Sequence, residues 1–156
     1  LSVERGTTIN TVSVLRILAG AVASVWGSGQ RRQVVTPTLT AGIRGTGVYT
    51  EVFKGQNERS YFCNCYGVVD LDSAGDQVRS EAQYHQSFWA EATSKDGRML
   101  SPAGAINHTD EEIENLARLV GQRTAWQIAG RTGVKDGLGY MQANPVRPHP
   151  AAPPVK

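Results

Sequence analysis

Residues 1–72 form a succession of short segments rich in Val, Thr, Ile and Tyr, and glycine-containing breaks separate these segments. β-Branched and aromatic residues favour strands. No long helical pattern lies between the segments, which argues against a βαβ fold. The predicted strands are residues 11–17, 21–26, 33–36, 48–53, 59–66 and 68–71. We therefore expect a mainly β fold, a small β-roll or sandwich of short strands with a C-terminal α-helix.

The charge balance narrows the class of partner. The 156 residues contain 16 basic and 14 acidic side chains, which gives a net charge of +2, and the basic residues are scattered. A nucleic-acid-binding protein needs a clustered basic surface, so we expect no nucleic-acid partner. No run of 18 apolar residues is present, and we expect no membrane span. The most apolar window, residues 12–26, lacks the pattern of a signal peptide.

The chain divides into three regions by composition. Residues 1–72 form the β domain, residues 73–143 a mixed extension, and residues 144–156 a tail that holds five of the seven prolines. We expect the tail to be an extended arm, because it is rich in proline and has no apolar periodicity.

The extension gives mixed signals. In residues 77–92, four residues recur at the spacing of one helix face, but the aromatic residues nearby fit a strand, and both interpretations stay open. The Lys-Asp-Gly sequence at residues 95–97 predicts a turn at a hairpin tip. Residues 99–106 are interrupted by a proline and a glycine and predict an irregular segment.

A helix is predicted at residues 109–121, packed on the rest of the extension. Thr109 and Glu112 fit a capping box, and the acidic first turn complements the helix dipole. Gly121 is suited to end the helix. The predicted apolar stripe consists of Ile113, Leu116, Ala117 and Val120.

A glycine-rich segment, T-P-T-L-T-A-G-I-R-G-T-G-V-Y, occupies residues 36–49. Its glycines allow a tight backbone, and the predicted structural turn consists of Gly42, Arg44, Gly45 and Thr46. We interpret Arg44 as a donor to backbone carbonyls across the turn. An anion-binding arginine is the alternative, although the segment lacks the Lys-Ser or Lys-Thr pair of a P-loop.

This segment resembles the signature of FecR-type domains, in which such a run links two strands of a β-roll. The resemblance covers about residues 10–72. Some FecR-like proteins also share the Y-F-C-x-C-Y-G run and the N-H-T-D helix start found here. The resemblance implies a non-enzymatic signalling or scaffold domain of the cell envelope, periplasmic in location, that binds a ligand or a partner protein.

Two departures from the family pattern bear on partners. The best-known members are inner-membrane regulators of a sigma factor, whereas this chain has no cytoplasmic helix bundle and no transmembrane segment. It also lacks the first strands that the pattern usually supplies, so the β domain looks incomplete at its N-terminus and a sheet edge is exposed there. We expect a partner protein, or a second copy of the chain, to bind this edge near residues 1–26.

The segment Y-F-C-N-C-Y-G at residues 61–67 contains the only two cysteines. In a strand, Cys63 and Cys65 point to the same face. Their Cα atoms then lie at about the 7 Å limit for a disulfide, so the pair is better placed to hold one metal ion. The alternative is that both cysteines are small core residues.

A tetrahedral ion needs two further ligands, and imidazole is the natural supplement. His85 and His108 are the candidates, because His149 lies in the proline-rich tail. We therefore predict a metal site of Cys63, Cys65, His85 and His108 that holds one zinc, iron or copper ion.

The sequence offers little for catalysis. It contains neither a G-x-S-x-G nor an H-E-x-x-H motif. The D-x-D pair of Asp70 and Asp72 precedes a Ser-Ala-Gly turn and is interpreted as a solvated loop. We expect no enzymatic activity and a ligand- or partner-binding domain with a Cys/His metal site. The alternative is a metal-handling or thiol-redox protein that uses Cys63 and Cys65.

Overall fold

The computed structural model describes residues 2–5, 12–27, 29, 31–55 and 57–131. Within these residues the chain forms nine strands and two helices, so the predicted mainly β fold with a C-terminal helix is confirmed. The strands are β1 (Ser2–Arg5), β2 (Val12–Arg16), β3 (Gly20–Val25), β4 (Arg32–Thr36), β5 (Leu39–Phe53), β6 (Arg59–Ser73), β7 (Asp76–Ala82), β8 (Gln86–Lys95) and β9 (Arg98–Ala103). The helices are α1 (Asp110–Leu119) and α2 (Ala125–Ile128).

The two longest strands, β5 and β6, form an antiparallel ribbon along the middle of one mixed sheet. The first half of β5 pairs with β4, and β4 pairs in parallel with β2, which pairs with β1. The second half of β5 pairs with β3. On the other side, β6 pairs with β8 through its first half and with β7 through its second, and β9 pairs with β8. The ribbon therefore joins two half-sheets, one with β1, β2, β4 and β7, the other with β3, β8 and β9.

A β-bulge interrupts the ribbon near its middle, where the register of β5 against β6 shifts between Arg44 and Val48. Gly45 has a φ of +54°, and Gly67 on the facing strand has a φ of +105°, conformations that glycine adopts readily. A Cβ atom on Gly67 would lie 2.7 Å from the carbonyl oxygen of Gly45. Bulges of this kind bend a strand and increase its twist.

The predicted structural turn at Gly42, Arg44, Gly45 and Thr46 is therefore corrected. These four residues lie inside β5, because pairing with β6 continues on both sides of the bulge. The glycines allow the strand to bend and not to reverse. The side chain of Arg44 is exposed, whereas Thr46 is buried.

Side chains from both half-sheets meet in one hydrophobic core. Ile43 and Leu71 come from one half-sheet, and Val52 and Phe62 come from the other. Because these residues belong to a single cluster, the sheet is folded over itself with its two inner faces packed together.

A second cluster covers the outer face of the half-sheet that contains β8. Tyr61 and Cys63 of β6 point to this face, whereas Phe62 between them points to the first core. Ile113 of α1 and Trp126 of α2 pack on the same face. Both helices thus cover the cysteine-bearing side of β6.

The α1 helix begins after Thr109 and ends before Gly121 as predicted, but only half of the predicted capping box forms, because the Glu112 carboxylate accepts from the hydroxyl of Thr109 and not from its backbone N–H. The side chain of Thr109 accepts a hydrogen bond from the backbone N–H of Glu112, and Gly121 beyond the last turn has a φ of +71°. Ile113 of the predicted stripe is fully buried. Val120 is 56 % exposed, because it caps the helix beyond its last turn.

The extension is more regular than its sequence indicates. Residues 77–92, for which helix and strand both remained open, lie in β7, β8 and the loop between them. The turn at residues 95–97 joins β8 to β9 and is confirmed. Residues 99–106 are not all irregular, since β9 runs to residue 103 and pairs with β8. The proline there is exposed on this outer strand, where its missing N–H is tolerated.

The predicted boundary at residue 72 falls inside β6, which pairs with β5, β7 and β8. β1 is the outer strand beside β2, in the region where we predict an exposed edge. The proline-rich tail at residues 144–156 lies outside the described residues, as does His149. Neither helix in the described part of the chain is long and apolar enough to cross a membrane.

Candidate metal centre

Two cysteines of β6 lie side by side beneath the helices. Cys63 and Cys65 are two positions apart, so the pleat of the strand directs both side chains to the same face. Their Sγ atoms are 3.6 Å apart, and both residues are fully buried. The structure thus places the two sulfur atoms as the alternation of the strand predicts.

His85 lies in the loop between β7 and β8. Its backbone N–H donates to the carbonyl of Cys65 at 2.9 Å, which fixes the loop to β6. Its φ of +36° is uncommon for a residue other than glycine, and such strained residues concentrate at functional sites. The Nδ1 atom of His85 lies 3.3 Å from the Sγ atom of Cys63.

His108 lies between β9 and α1, directly before the N-cap residue. The preceding Asn107 has a φ of +59°, so a second left-handed residue directs the chain here. The Nε2 atom of His108 lies 3.4 Å from Sγ of Cys65 and 3.3 Å from Nδ1 of His85. Two separate loops therefore bring one nitrogen each to the pair of sulfur atoms.

These four ligand atoms lie close enough together to hold one metal ion. All of them lie within 4.8 Å of one another, and all four residues are buried. Zn–S bonds of about 2.3 Å and Zn–N bonds of about 2.0–2.1 Å give tetrahedral edges of about 3.8 Å for S–S, 3.6 Å for S–N and 3.3 Å for N–N. The four close pairs measure 3.6, 3.3, 3.4 and 3.3 Å. The cluster therefore has the size to enclose one ion.

The outer nitrogen of each histidine already has an acceptor. Nε2 of His85 lies 2.8 Å from a carboxylate oxygen of Asp110, and Nδ1 of His108 lies 2.6 Å from the carbonyl oxygen of Ile106. A carbonyl only accepts, so the proton of a neutral His108 is on Nδ1. In neutral imidazoles, the lone pairs of the other nitrogens then face the cysteines. Two lone pairs and two sulfur atoms around one point require positive charge between them, from a metal ion or from protons.

Asp110 is held in place by a second group. Its Oδ2 atom accepts a hydrogen bond of 2.8 Å from the hydroxyl of Tyr84, while Oδ1 faces His85. The side chain of Asp110 is 1 % exposed, and the residue begins α1, where the helix dipole favours negative charge. A carboxylate behind a metal-ligating histidine fixes the ring and raises its basicity, which is the usual second layer of such sites.

Aromatic rings hold both imidazoles. Trp126 stacks on His85 with ring centroids 5.1 Å apart, and Tyr49 stacks on His108 at 4.5 Å. The Tyr49 hydroxyl donates to Glu51 at 2.9 Å. The ligand rings are thus locked by packing as well as by hydrogen bonds.

Without an ion, the pKa values of the two cysteines shift in opposite directions. Burial raises the pKa of Cys63, but the hydrogen bond from Cys65 and the electrostatic effect of the two neighbouring histidines outweigh it and hold that pKa well below its usual range. Burial and the hydrogen bond to Cys63 raise the pKa of Cys65. Burial lowers the pKa of His85, but the effects of Cys63 and Asp110 are larger and raise this pKa to about 9. A metal ion would therefore have to displace protons from these atoms.

The sequence interpretation missed four residues of this site. Asp110 was predicted only as part of the acidic first turn and Tyr49 only as part of the glycine-rich segment, and Tyr84 and Trp126 carry no signal beyond their aromatic rings. One signal was available for Asp110, because N-H-T-D places a candidate ligand, an N-cap and a carboxylate next to one another at residues 107–110.

The remaining candidates lie on the other half-sheet. The loop interpretation of the D-x-D pair is corrected, because Asp70 and Asp72 both lie in β6 and pair with β7. Asp72 accepts hydrogen bonds from the N–H of Gly75 and the side chain of Gln77, next to the turn that follows β6. Arg44 is exposed beside the bulge. No protein-family model, curated protein or solved structure matches this chain.

Proposed function

We propose that this chain is a non-enzymatic, metal-stabilised β domain in which Cys63, Cys65, His85 and His108 bind a single ion. The observation that carries the proposal is the convergence of four buried ligand atoms, two sulfurs and two nitrogens, all within 4.8 Å of one another. Two sulfurs and two nitrogens that are closed off from solvent form the donor set of a structural site, which has no open position for a substrate.

Zinc is the ion that this donor set suits best. Two thiolates and two imidazoles match a structural zinc site in number and type. Copper and iron accept the same ligand types, so the ion itself has to be measured. A polynuclear iron–sulfur cluster does not fit, because its protein ligands bind different iron atoms and lie further apart than the atoms here.

The ion would join three parts of the chain. Cys63 and Cys65 belong to β6, His85 to the loop before β8, and His108 to the loop before α1. Binding of an ion to ligands that come together only in the folded chain adds its free energy to that of folding. We therefore assign the ion the role of fastening α1 to the sheet.

A thiol-redox function is the second candidate, and one observation favours it. Cys63, His85 and Asp110 form a hydrogen-bonded series, with 3.3 Å from sulfur to Nδ1 and 2.8 Å from Nε2 to the carboxylate. Such a series activates a thiolate for nucleophilic attack. Complete burial of Cys63 opposes this function, because a reactive thiol has to meet its substrate.

The wider role that we propose is that of a partner-binding domain of FecR type in the cell envelope. The G-I-R-G-T segment supports it, and so does the position of β1 at the edge of the sheet, where a partner strand can pair. Pull-down with the purified domain, against a chain that lacks residues 1–16, tests whether this edge recruits a protein. Equal recovery by both chains would end this part of the proposal.

Elemental analysis of untagged, gel-filtered protein tests the metal site. We expect about one zinc ion per chain, bound by the wild type and by His149→Ala, which removes the histidine outside the cluster, but not by His108→Ala. The thiols, titrated in denaturant, should react rapidly only after a chelator is added. If protein refolded with zinc contains no metal and has two free thiols, the site is contradicted. Cys63 and Cys65 are then core residues.

A further inference from the structure

One side of the candidate metal centre is closed by a single side chain from a short helix. Trp126 is the only buried residue of α2, is 1 % exposed, and stacks on His85. The rings of Tyr66 and Tyr84 form T-shaped pairs with the same indole, with ring centroids 5.8 and 5.5 Å apart. The other sides of His85 are occupied by Cys63 on the sheet and by Asp110 on α1.

The segment that carries Trp126 is joined to the fold by few bonds. Within the described residues, the main-chain hydrogen bonds of residues 124–131 stay inside the segment. A capping box between Thr124 and Gln127 makes the helix itself locally complete. The described contacts of the segment with the sheet and α1 run through side chains. The indole N–H of Trp126 donates to Glu114 of α1 at 2.7 Å, and Ala125 packs beside this ring on the second cluster.

Two glycines bracket this segment. Gly121 has a φ of +71° and Gly130 a φ of +78°, and a Cβ atom on either would meet nothing within 4 Å. Glycine supplies the backbone freedom that hinge positions use. The segment therefore has what a local opening unit needs, which is main-chain bonding of its own, attachment through side chains that centre on Trp126, and a glycine near each end.

We infer that α2 is a lid on the metal centre, and that Trp126 sets the rate at which the ion enters and leaves. This inference rests on the proposed metal site and adds its regulation. Both cysteine ligands are fully buried and the two histidines are buried when the indole is in place, so an ion reaches the sulfur atoms only after the lid opens. β6 cannot open in the same way without breaking the sheet on both of its edges.

Zinc transfer to a chromogenic chelator in excess measures this rate. We expect Trp126→Ala to release zinc faster by on the order of a hundredfold, because the closed state loses the packing of a buried indole. Trp126→Phe should be intermediate. Ile128→Ala is the matched control, since Ile128 lies on the same helix and is 71 % exposed, and it should release zinc at the wild-type rate.

A second readout separates a lid from a structural role. The absorption spectrum of the cobalt-substituted protein reports ligand geometry, and a lid residue should leave it unchanged while the rate rises. A changed spectrum, or an unchanged release rate in Trp126→Ala, would overturn the inference. If the wild type binds neither zinc nor cobalt, it is the proposed metal site that fails.

Hydrogen exchange in wild-type protein loaded with zinc covers the case in which Trp126→Ala does not fold. Amides of residues 124–131 should exchange faster than those of α1, because the lid opens on its own. Equal protection of the two helices would show that they open only together and would reject the lid.

Discussion

Asp110 and His85 face each other at 2.8 Å in a place where neither side chain reaches solvent. A buried carboxylate is costly unless it is paired, and here it is paired with the ring that faces Cys63 through its other nitrogen. The first residue of α1 is therefore coupled to the sulfur pair on β6 through one imidazole ring.

Asp110→Asn keeps the shape of this side chain and removes its charge. We expect the affinity for zinc to fall by about 10–100-fold, which is the usual effect of losing the group behind a ligating histidine. Competition with a chelator of known affinity measures the change. Glu111→Gln, at the next position of the same helix turn, is the control, and an equal loss in both variants would show that α1 acts only through its overall charge.

The double variant Cys63→Ser with Cys65→Ser removes both sulfur ligands. We expect a chelator to lower the unfolding free energy of the wild type and to leave that of the double variant unchanged. At free zinc about a thousand times the Kd, the bound ion contributes about 4 kcal/mol. Thermal unfolding with and without chelator measures both proteins. A double variant as stable as zinc-loaded wild type would contradict a structural ion.

Gly47→Ala tests the bulge of β5. A Cβ atom at Gly47 would lie 2.4 Å from the ring of Tyr66, so the ring or the strand has to move. We expect a loss of about 1–3 kcal/mol in urea unfolding, as for other overpacked sites. Gly27→Ala is the control, because its nearest contact would be an ordinary 3.5 Å from the side chain of Gln122. Equal stability of the two variants would mean that the Tyr66 ring moves aside without a loss of unfolding free energy.

Asp76 gives the fold a separate dependence on pH. Its carboxylate accepts from Arg98 and from the backbone N–H groups of Met99 and Leu100, and these bonds lower its pKa below the usual value. The carboxylate therefore stabilises the fold above the unfolded pKa of about 3.9, and this contribution disappears as the pH falls through the lower folded value.

The variant Asp76→Asn should accordingly be less stable than wild type at pH 7, and the difference should shrink toward pH 3. Metal loss at low pH affects both proteins, so the difference between their unfolding free energies isolates Asp76. Asp96→Asn, in the exposed turn between β8 and β9, is the matched variant that also removes one carboxylate charge. A constant difference between Asp76→Asn and wild type from pH 7 to pH 3 would contradict the assignment.

The strands and the first helix could be predicted because their signals are local. Alternation places Cys63 and Cys65 on one face, and the N-cap residue Thr109 marks the start of α1 whatever the rest of the chain does. The bulge could not be predicted in the same way. The glycines within residues 42–47 are compatible with a turn that reverses the chain and also with a bulge that bends a strand. Only the pairing of β5 with β6 on both sides of the bulge distinguishes the two.

The four ligands could be proposed from residue type, since few cysteines and histidines were available. The residues that hold these ligands in place could not be predicted. Asp110, Tyr84 and Trp126 reach the site because α1 and α2 pack on the outer face of the sheet, and no local pattern encodes that packing. The same limit applies to His85, whose loop lies next to β6 only through the pairing of β7 and β8 with that strand.

Cys65 and His108 are 43 positions apart, and the chain between them contains β7, β8 and β9. An ion held by both would close this length of chain into a loop and restrict the unfolded state much as a disulfide does. It would do so without oxidation, and it would be lost on chelation. A partly synthesised chain that ends before residue 108 lacks the fourth ligand. The chain would therefore begin to hold the ion tightly only after β9 and the loop that follows it have been synthesised.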